Sequence, residues 1–333
     1  MAAMTHDTPA ARGDFAPGGP GRGDSGRRSG GLGLALVSAA SFALSGALAR
    51  PLLGAGWSPG AVVGLRIAIG ALVVLPFGLA ALRGRWGLLR RNAGRIVGYG
   101  LLAVAGAQFC YFSAVQHLQV GPALMIEYAA PVAVVGWLWA RHGQRPGRLT
   151  VAGAAVAALG LLLVLDLFSG ADLDPLGIAW ALAAMVGAAA YFLISADDAD
   201  GLPPLALAAG GLVVGGLALG LLGLVGALPM VASLDPVSYA GATVSWWVPV
   251  LLLGVLTAAL SYVTGIGAAR ALGSRVASFV ALSEVVFAVL WAWLLLAELP
   301  GPVQLLGGLL ILGGVVLVKA GERAVVAPEP VTV

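Results

Sequence analysis

The sequence predicts an all-α integral membrane protein, with ten transmembrane helices arranged as two inverted five-helix repeats. Three observations lead there: an apolar composition that only lipid can solvate, ten apolar runs of spanning length, and an internal match at a fixed offset of 154 residues. Of 333 residues, 60% are hydrophobic and 10% charged, against about 25% charged in a soluble domain. Mean hydropathy is +0.98. A globule of this size needs a polar skin, and the chain has too little polar surface to make one. The single cysteine, Cys110, lies inside an apolar run, so no intramolecular disulfide is available.

Residues 1–30 are rich in Gly, Pro, Ala and Arg and have little to bury, so they read as a disordered tail. They lack the apolar core of a secretory signal peptide, and the Arg22-Gly23-Asp24 triplet reads as chance in a Gly/Arg-rich segment. A bilayer core of about 30 Å takes about 20 helical residues. The runs that fit are 31–53, 59–82, 95–115, 121–140, 149–167, 176–195, 205–228, 246–268, 275–297 and 302–320. Residues 31–167 form the first repeat and 168–320 the second, and 321–333 form a short C-terminal tail.

Cations set the orientation. With the N-terminus inside, 16 of the 18 Lys and Arg residues fall on the inner side. Arg50 and Arg66 lie within spans, and no outer loop carries a cation. Both termini are therefore expected in the cytoplasm of a cell (inner or plasma) membrane protein. The inner loop "SADDAD" is acidic through Asp197, Asp198 and Asp200, but acids count little in this rule.

The repeat shows when the chain is slid along itself by 154 residues: "PVAVVGWLWARHGQRPGRLTVAG" (131–153) falls on "VVFAVLWAWLLLAELPGPVQLLG" (285–307). Trp137 meets Trp291, Trp139 meets Trp293, Pro146 meets Pro300 and Gly147 meets Gly301, with Gly153 on Gly307 and Gly160 on Gly314 further along. The fourth and fifth runs thus correspond to the ninth and tenth. Five spans are an odd number, so the two halves enter the membrane from opposite sides, the architecture of many secondary transporters.

"SGALARPL" (45–52), "LRIAIGAL" (65–72), "GPALMIEYAAPVAV" (121–134) and "LLLAELPGPVQLLGG" (294–308) carry a likeness to a family. The chain resembles the ten-helix EamA-like transporters of the drug/metabolite transporter superfamily, the threonine/homoserine exporter branch above all, over residues 31 to 320. The resemblance implies a substrate cavity between the halves, lined by spans 1, 3, 4, 6, 8 and 9, and export of amino acids or similar small metabolites. It departs from the family at one point: the ninth span of the family has Glu-Pro, where this chain has Glu284-Val285.

Two acids stand inside apolar runs. A charge at mid-span costs about 2.5–3.5 kcal/mol on the insertion scale, so each needs a cavity, a partner or a proton. Glu127 and Arg66 each lie about six positions from the outer end of their spans, roughly 9 Å deep at 1.5 Å per residue. Equal depth allows a pair that fixes packing, or a pair that meets the ammonium and carboxylate of a zwitterion. Glu284 lies near the midplane, where desolvation disfavours its charged form. It reads as a group that binds a proton or a cationic substrate in turn, or as a protonated acid bonded to Ser261 or Thr264. Glu298, at the outer end of its span, and Arg50, at a rim, read as solvated.

Gln108, Tyr111, Tyr128, Tyr191, Ser261 and Tyr262 complete the candidate substrate or coupling residues, with Ser113, Thr264 and Ser283 as further polar groups in spans. Each competes with a blander role as interface anchor or helix–helix contact. His6, His117 and His142 have no metal-site spacing, and no H-E-x-x-H, G-x-S-x-G or P-loop motif occurs. The expectation is a secondary transporter that moves a small molecule by alternating access, with protons as the coupling ion. It has no enzyme activity, cofactor or nucleic-acid partner, and its oligomeric state is open. A passive channel and a membrane-embedded hydrolase or lipid transferase are the alternatives.

Overall fold

The computed structural model describes residues 22–114, 117, 126–164, 174–198, 200–297 and 301–325. Among them six helices are long and apolar enough to cross a membrane, and Arg148–Leu163, Ser283–Leu296 and Leu305–Gly321 are shorter apolar helices. In chain order, α1 is Arg22–Gly54, α2 Pro59–Leu82, α3 Gly87–Arg91 and α4 Ala93–Gly98. A π-helical segment, π1 (Tyr99–Gly106), joins α4 to α5 (Ala107–Ala114). Then come α6 (Ala130–His142), α7 (Arg148–Val164), α8 (Pro175–Ala196) and α9 (Pro204–Leu224). Strands β1 (Val237–Tyr239) and β2 (Ala242–Val244) precede α10 (Trp247–Leu252), π2 (Leu253–Leu260), α11 (Ser261–Ala281), α12 (Ser283–Leu296) and α13 (Pro302–Val325).

Helix starts follow local chemistry. Pro59, Pro175 and Pro204 open their helices, where a missing N–H costs nothing. The Ser58 hydroxyl caps α2 by accepting from the Ala61 N–H at 3.2 Å, and the Asp174 carboxylate caps α8 by accepting from the Leu176 N–H at 2.8 Å. Large apolar side chains such as Leu72, Phe77, Leu217 and Leu309 are exposed on the outside of the bundle, as lipid requires. The core is built from α2, α9 and π1, around Ile67, Tyr99, Leu207 and Leu212.

The two halves repeat in finer detail than the sequence shows. π1 (99–106) and π2 (253–260) differ by the same 154 residues. The fourth run has a turn at Tyr128 and Ala129 before α6, and the ninth has one at Leu282, the residue 154 beyond Tyr128. Between α7 and α13 the backbones almost touch: a Cβ on Gly153 would meet the Gly314 carbonyl oxygen at 2.6 Å, and one on Gly160 would meet that of Gly307 at 2.6 Å. Because 153 maps on 307 and 160 on 314, this is one contact made twice, by equivalent helices running antiparallel. A second relation, offset 145, links α2 to α9: Gly70 packs on Ala258 and the Gly254 carbonyl, Gly215 on Val104 and the Gly100 carbonyl.

Three expectations need correction, and one point that the sequence left open resolves. The protein is not purely α-helical, because β1 and β2 form an antiparallel hairpin in the loop after α9, with Tyr239 paired to Ala242. Its two turn residues, Ala240 and Gly241, both have positive φ (43° and 89°), which a two-residue turn between twisted strands demands; short strands in a polar loop leave too little periodicity to read. The first helix starts at Arg22 rather than 31, entering the segment read as tail. The eighth and ninth runs are joined by a break at Gly273 (φ 80°, ψ 159°) rather than by a loop. Finally, the ninth run is interrupted without the family's proline. Ser278 donates to the Arg275 carbonyl (2.8 Å) and Ser283 to the Val280 carbonyl (2.7 Å), and such back-bonding loosens a helix. Glu298 and Pro300 lie outside the described residues.

Gly314→Val fills space held by the α7 backbone. The expected result is a loss of about 1–3 kcal/mol, read as a lowered midpoint of thermal aggregation in detergent. Gly313→Val, one residue away where a Cβ meets nothing within 4 Å, should leave that midpoint in place.

Candidate functional site

A cavity of about 480 Å³ runs between the halves. Its wall draws on α1 (Ser38, Phe42, Arg50), α2 (Arg66), π1 and α5 (Ala103, Gln108, Tyr111), the turn before α6 (Glu127, Tyr128), α8 (Tyr191), α11 (Tyr262, Gly265) and α12 (Glu284). Spans 1, 3, 4, 6, 8 and 9 were expected to line it; α2 joins them through Pro59, Val62, Val63 and Arg66. Eight of the nine expected residues face this one space: Glu127, Glu284, Arg66, Tyr111, Gln108, Tyr128, Tyr191 and Tyr262.

Ser261 does not line it. Its hydroxyl donates to the Thr257 carbonyl (2.6 Å) and its own carbonyl accepts from Ser38 (2.8 Å), so it is spent within the wall. Thr264 likewise donates to the Leu260 carbonyl at 2.8 Å. With both hydroxyls taken by their own helix, neither is the partner of Glu284. Tyr128 fills that place, its phenol approaching the Glu284 carboxyl.

Each acid stands beside an interruption of its helix. Glu127 precedes the Tyr128–Ala129 turn, and Glu284 is the second residue after Leu282. An interrupted helix leaves backbone groups without ladder partners, which lipid does not tolerate but a polar cavity does. Position and chemistry therefore agree.

Arg66 does not form the ion pair with Glu127 that equal depth allowed: among the described residues, no ion pair joins it to Glu127 or Glu284. Its Nη2 donates to the Thr257 carbonyl at 2.7 Å, and its guanidinium carbon lies 4.7 Å from the centroid of the Phe42 ring. Thr257 belongs to π2, where widening of the helix turns a carbonyl aside. Phe42 also packs on Tyr262 (5.5 Å between centroids), and Tyr262 on Tyr191 (5.8 Å), so aromatic faces connect the cation to the far wall. Sequence reading missed Phe42, Ser38 and the Thr257 carbonyl. Phe42 and Ser38 sit among Ala and Leu with nothing to mark their face, and a backbone oxygen has no signature in sequence.

At the end carrying the loop cations, side chains hold the helices together. Arg95 pairs with Asp197 (2.6 Å) and Asp200 (3.2 Å). Arg270 donates to the carbonyls of Ser195 and Leu202, and Arg275 to that of Gln144. The acidic "SADDAD" loop therefore lies on the same face as the arginines, where cations neutralise it.

Two antiparallel halves, helices of spanning length and a central cavity with charged side chains define a multi-pass membrane transporter built from two repeats. The EamA-like transporter family matches residues 29–166 and again 175–320, and the chain belongs to that family, part of the drug/metabolite transporter superfamily. A solved structure described as "Crystal structure of protein" shares the fold, with a TM-score of 0.71 over 90% of this chain and 99% of that one, at 21% identity. No curated protein matches the chain.

Gly265 lets the Tyr191 hydroxyl reach the cavity wall. A Cβ there would collide with that hydroxyl and stand 2.8 Å from the Ser38 Oγ. Gly265→Ala should lower the unfolding midpoint in detergent by the equivalent of about 1–3 kcal/mol. Adding Tyr191→Phe should restore part of the loss, a coupling that a double-mutant cycle measures.

Proposed function

We propose that the protein is a secondary active exporter of amino acids or related small metabolites, working by alternating access with inward-moving protons. The reading includes ten spans in two inverted repeats, both termini in the cytoplasm of the cell membrane, and Glu127, Glu284, Arg66, Tyr111, Gln108, Tyr128, Tyr191 and Tyr262 as substrate or coupling residues. One observation carries it: two intramembrane carboxylates, one from each repeat, stand beside matched helix interruptions on a single cavity. A carboxylate in that place can hold a proton or a cationic group in turn, and the state it prefers depends on which face the cavity meets. The amino-acid class is supported by the likeness to the threonine/homoserine exporter branch and by acids and a guanidinium on the same cavity. Matched π segments in both halves give each repeat the same place to bend.

The test is uptake of radiolabelled amino acids into proteoliposomes under an imposed pH gradient. Flux should rise several-fold with the gradient, and Glu284→Gln should leave exchange of substrate but remove the response to the gradient. Flux indifferent to pH rejects proton coupling, and gradient-driven flux unchanged in Glu284→Gln rejects its role.

A further inference from the structure

We propose that Arg66 is the receptor for a carboxylate group on the substrate. The assignment deepens the reading of the cavity as a binding site for a small metabolite and rests on it.

The hydrogen bonds of the Arg66 guanidinium are incomplete. Arg66 is 5% exposed, and its guanidinium stays charged at any physiological pH. A cation buried in a membrane span needs an anion or a full set of acceptors. One acceptor is present, the Thr257 carbonyl on Nη2, and the Phe42 face supplies cation–π contact. The Nε–H is buried and has no partner among the described residues. Held at Nη2 and unanswered at the buried Nε–H, the guanidinium lines the cavity with donors to spare for a carboxylate.

The internal repeat answers the obvious objection, that Arg66 only holds α2 against π2. The offset of 145 that relates Gly70 to Gly215 places Arg66 on Gly211 of α9. There α9 packs against π1 with no arginine at all. The flanking positions are buried alike, Ile67 with Leu212 (both 0% exposed) and Val74 with Leu219 (3% and 1%). The same helix packing therefore forms without a cation, and at Gly211 the Tyr99 ring occupies the space a side chain would take. Only one of the two repeats carries the guanidinium, on the wall of the cavity.

The cavity wall thereby carries both kinds of charge. Arg66 with Phe42, and Arg50 on the same wall, supply the cations, while Glu127 and Glu284 with Tyr128 supply the acids, and among the described residues no ion pair joins Arg66 to either acid. A substrate with a carboxylate at one end and an ammonium at the other satisfies both. An ester or an amine satisfies only the acids and leaves the buried Nε–H of Arg66 unanswered, the situation in which polar sites discriminate most strongly.

Binding to the full-length protein in detergent, and flux in proteoliposomes, would be measured for a panel of the common L-amino acids and their methyl esters. The wild type should bind at least one amino acid roughly tenfold or more tightly than its ester, the scale of a charged hydrogen bond. Arg66→Gln should abolish that preference by weakening the acid alone, and ester binding serves as its control for an intact cavity. Arg66→Lys should keep part of the preference, with charge but no fork. Equal binding of acid and ester by the wild type, no binding of any amino acid in the panel, or a preference unchanged in Arg66→Gln would each overturn the assignment. Carboxylate binding that depends on Arg66 but produces no flux would support it while overturning the transport reading.

Discussion

Backbone polar groups have no water to turn to within a bilayer, so a spanning helix must satisfy its own. Departures from that rule organise the rest of this structure. The ladder is altered at π1 and π2 and interrupted at Tyr128–Ala129 and Leu282, in two pairs that each obey the offset of 154. All four places contribute residues to the one cavity: Ala103, Leu253, Tyr128 and Leu282. Among the described residues these four departures meet in the one region where polar side chains can compensate for them, while the break at Gly273 lies off the cavity wall. The outer faces of the helices meet lipid with Leu, Val and Phe.

The outer frame is held by a different kind of contact. α7 and α13 cross with glycine against carbonyl at Gly153–Gly314 and Gly160–Gly307, too close for any side chain. Lipid tails are as apolar as leucine, so hydrophobicity does not bring helices together here. Close backbone approach and the dispersion it gains do. Since the contact is made twice by equivalent residues, it resembles a twofold interface inside one chain, and it fixes the halves antiparallel without committing either half to one side of the cavity.

Much of this was legible in the chain. Composition and run length are direct consequences of the solvent, so the membrane class and most helix positions followed from them. The Trp–Trp–Pro–Gly match around 137–147 and 291–301 exposed the repeat because those residues are rare in apolar sequence. Glu127 and Glu284 were conspicuous as the carboxylates inside apolar runs. Whether Arg66 pairs with Glu127 was open in the sequence because equal depth fixes height in the membrane and says nothing of direction around the helix axis. The close contacts of Gly153 and Gly160, seven residues apart, were visible beforehand only as repeat matches. The second relation, between α2 and α9, was hidden because its offset, 145, differs from 154, so no single ungapped alignment contains both. The hairpin after α9 was missed because three-residue strands carry almost no pattern.

Pseudosymmetry and chemistry make opposite demands, and the arrangement of charges shows how both are met. Symmetry requires the two repeats to depart from the α-helix at corresponding points, as they do at π1 and π2. For a cavity to hold one orientation of an unsymmetrical molecule, its lining must break that symmetry, as Arg66 does where the related Gly211 packs on the Tyr99 ring away from the cavity wall. The acids fall between the two cases: one comes from each half, yet 127 and 284 are not related by the offset of 154, which carries Glu127 onto Ala281 and Glu284 back onto Ala130. The carboxylates are therefore matched in number and in nearness to an interruption, but not in place. Such a cavity keeps the frame of a symmetric scaffold while its lining offers chemically distinct groups, which is what holding an unsymmetrical small molecule in one orientation requires.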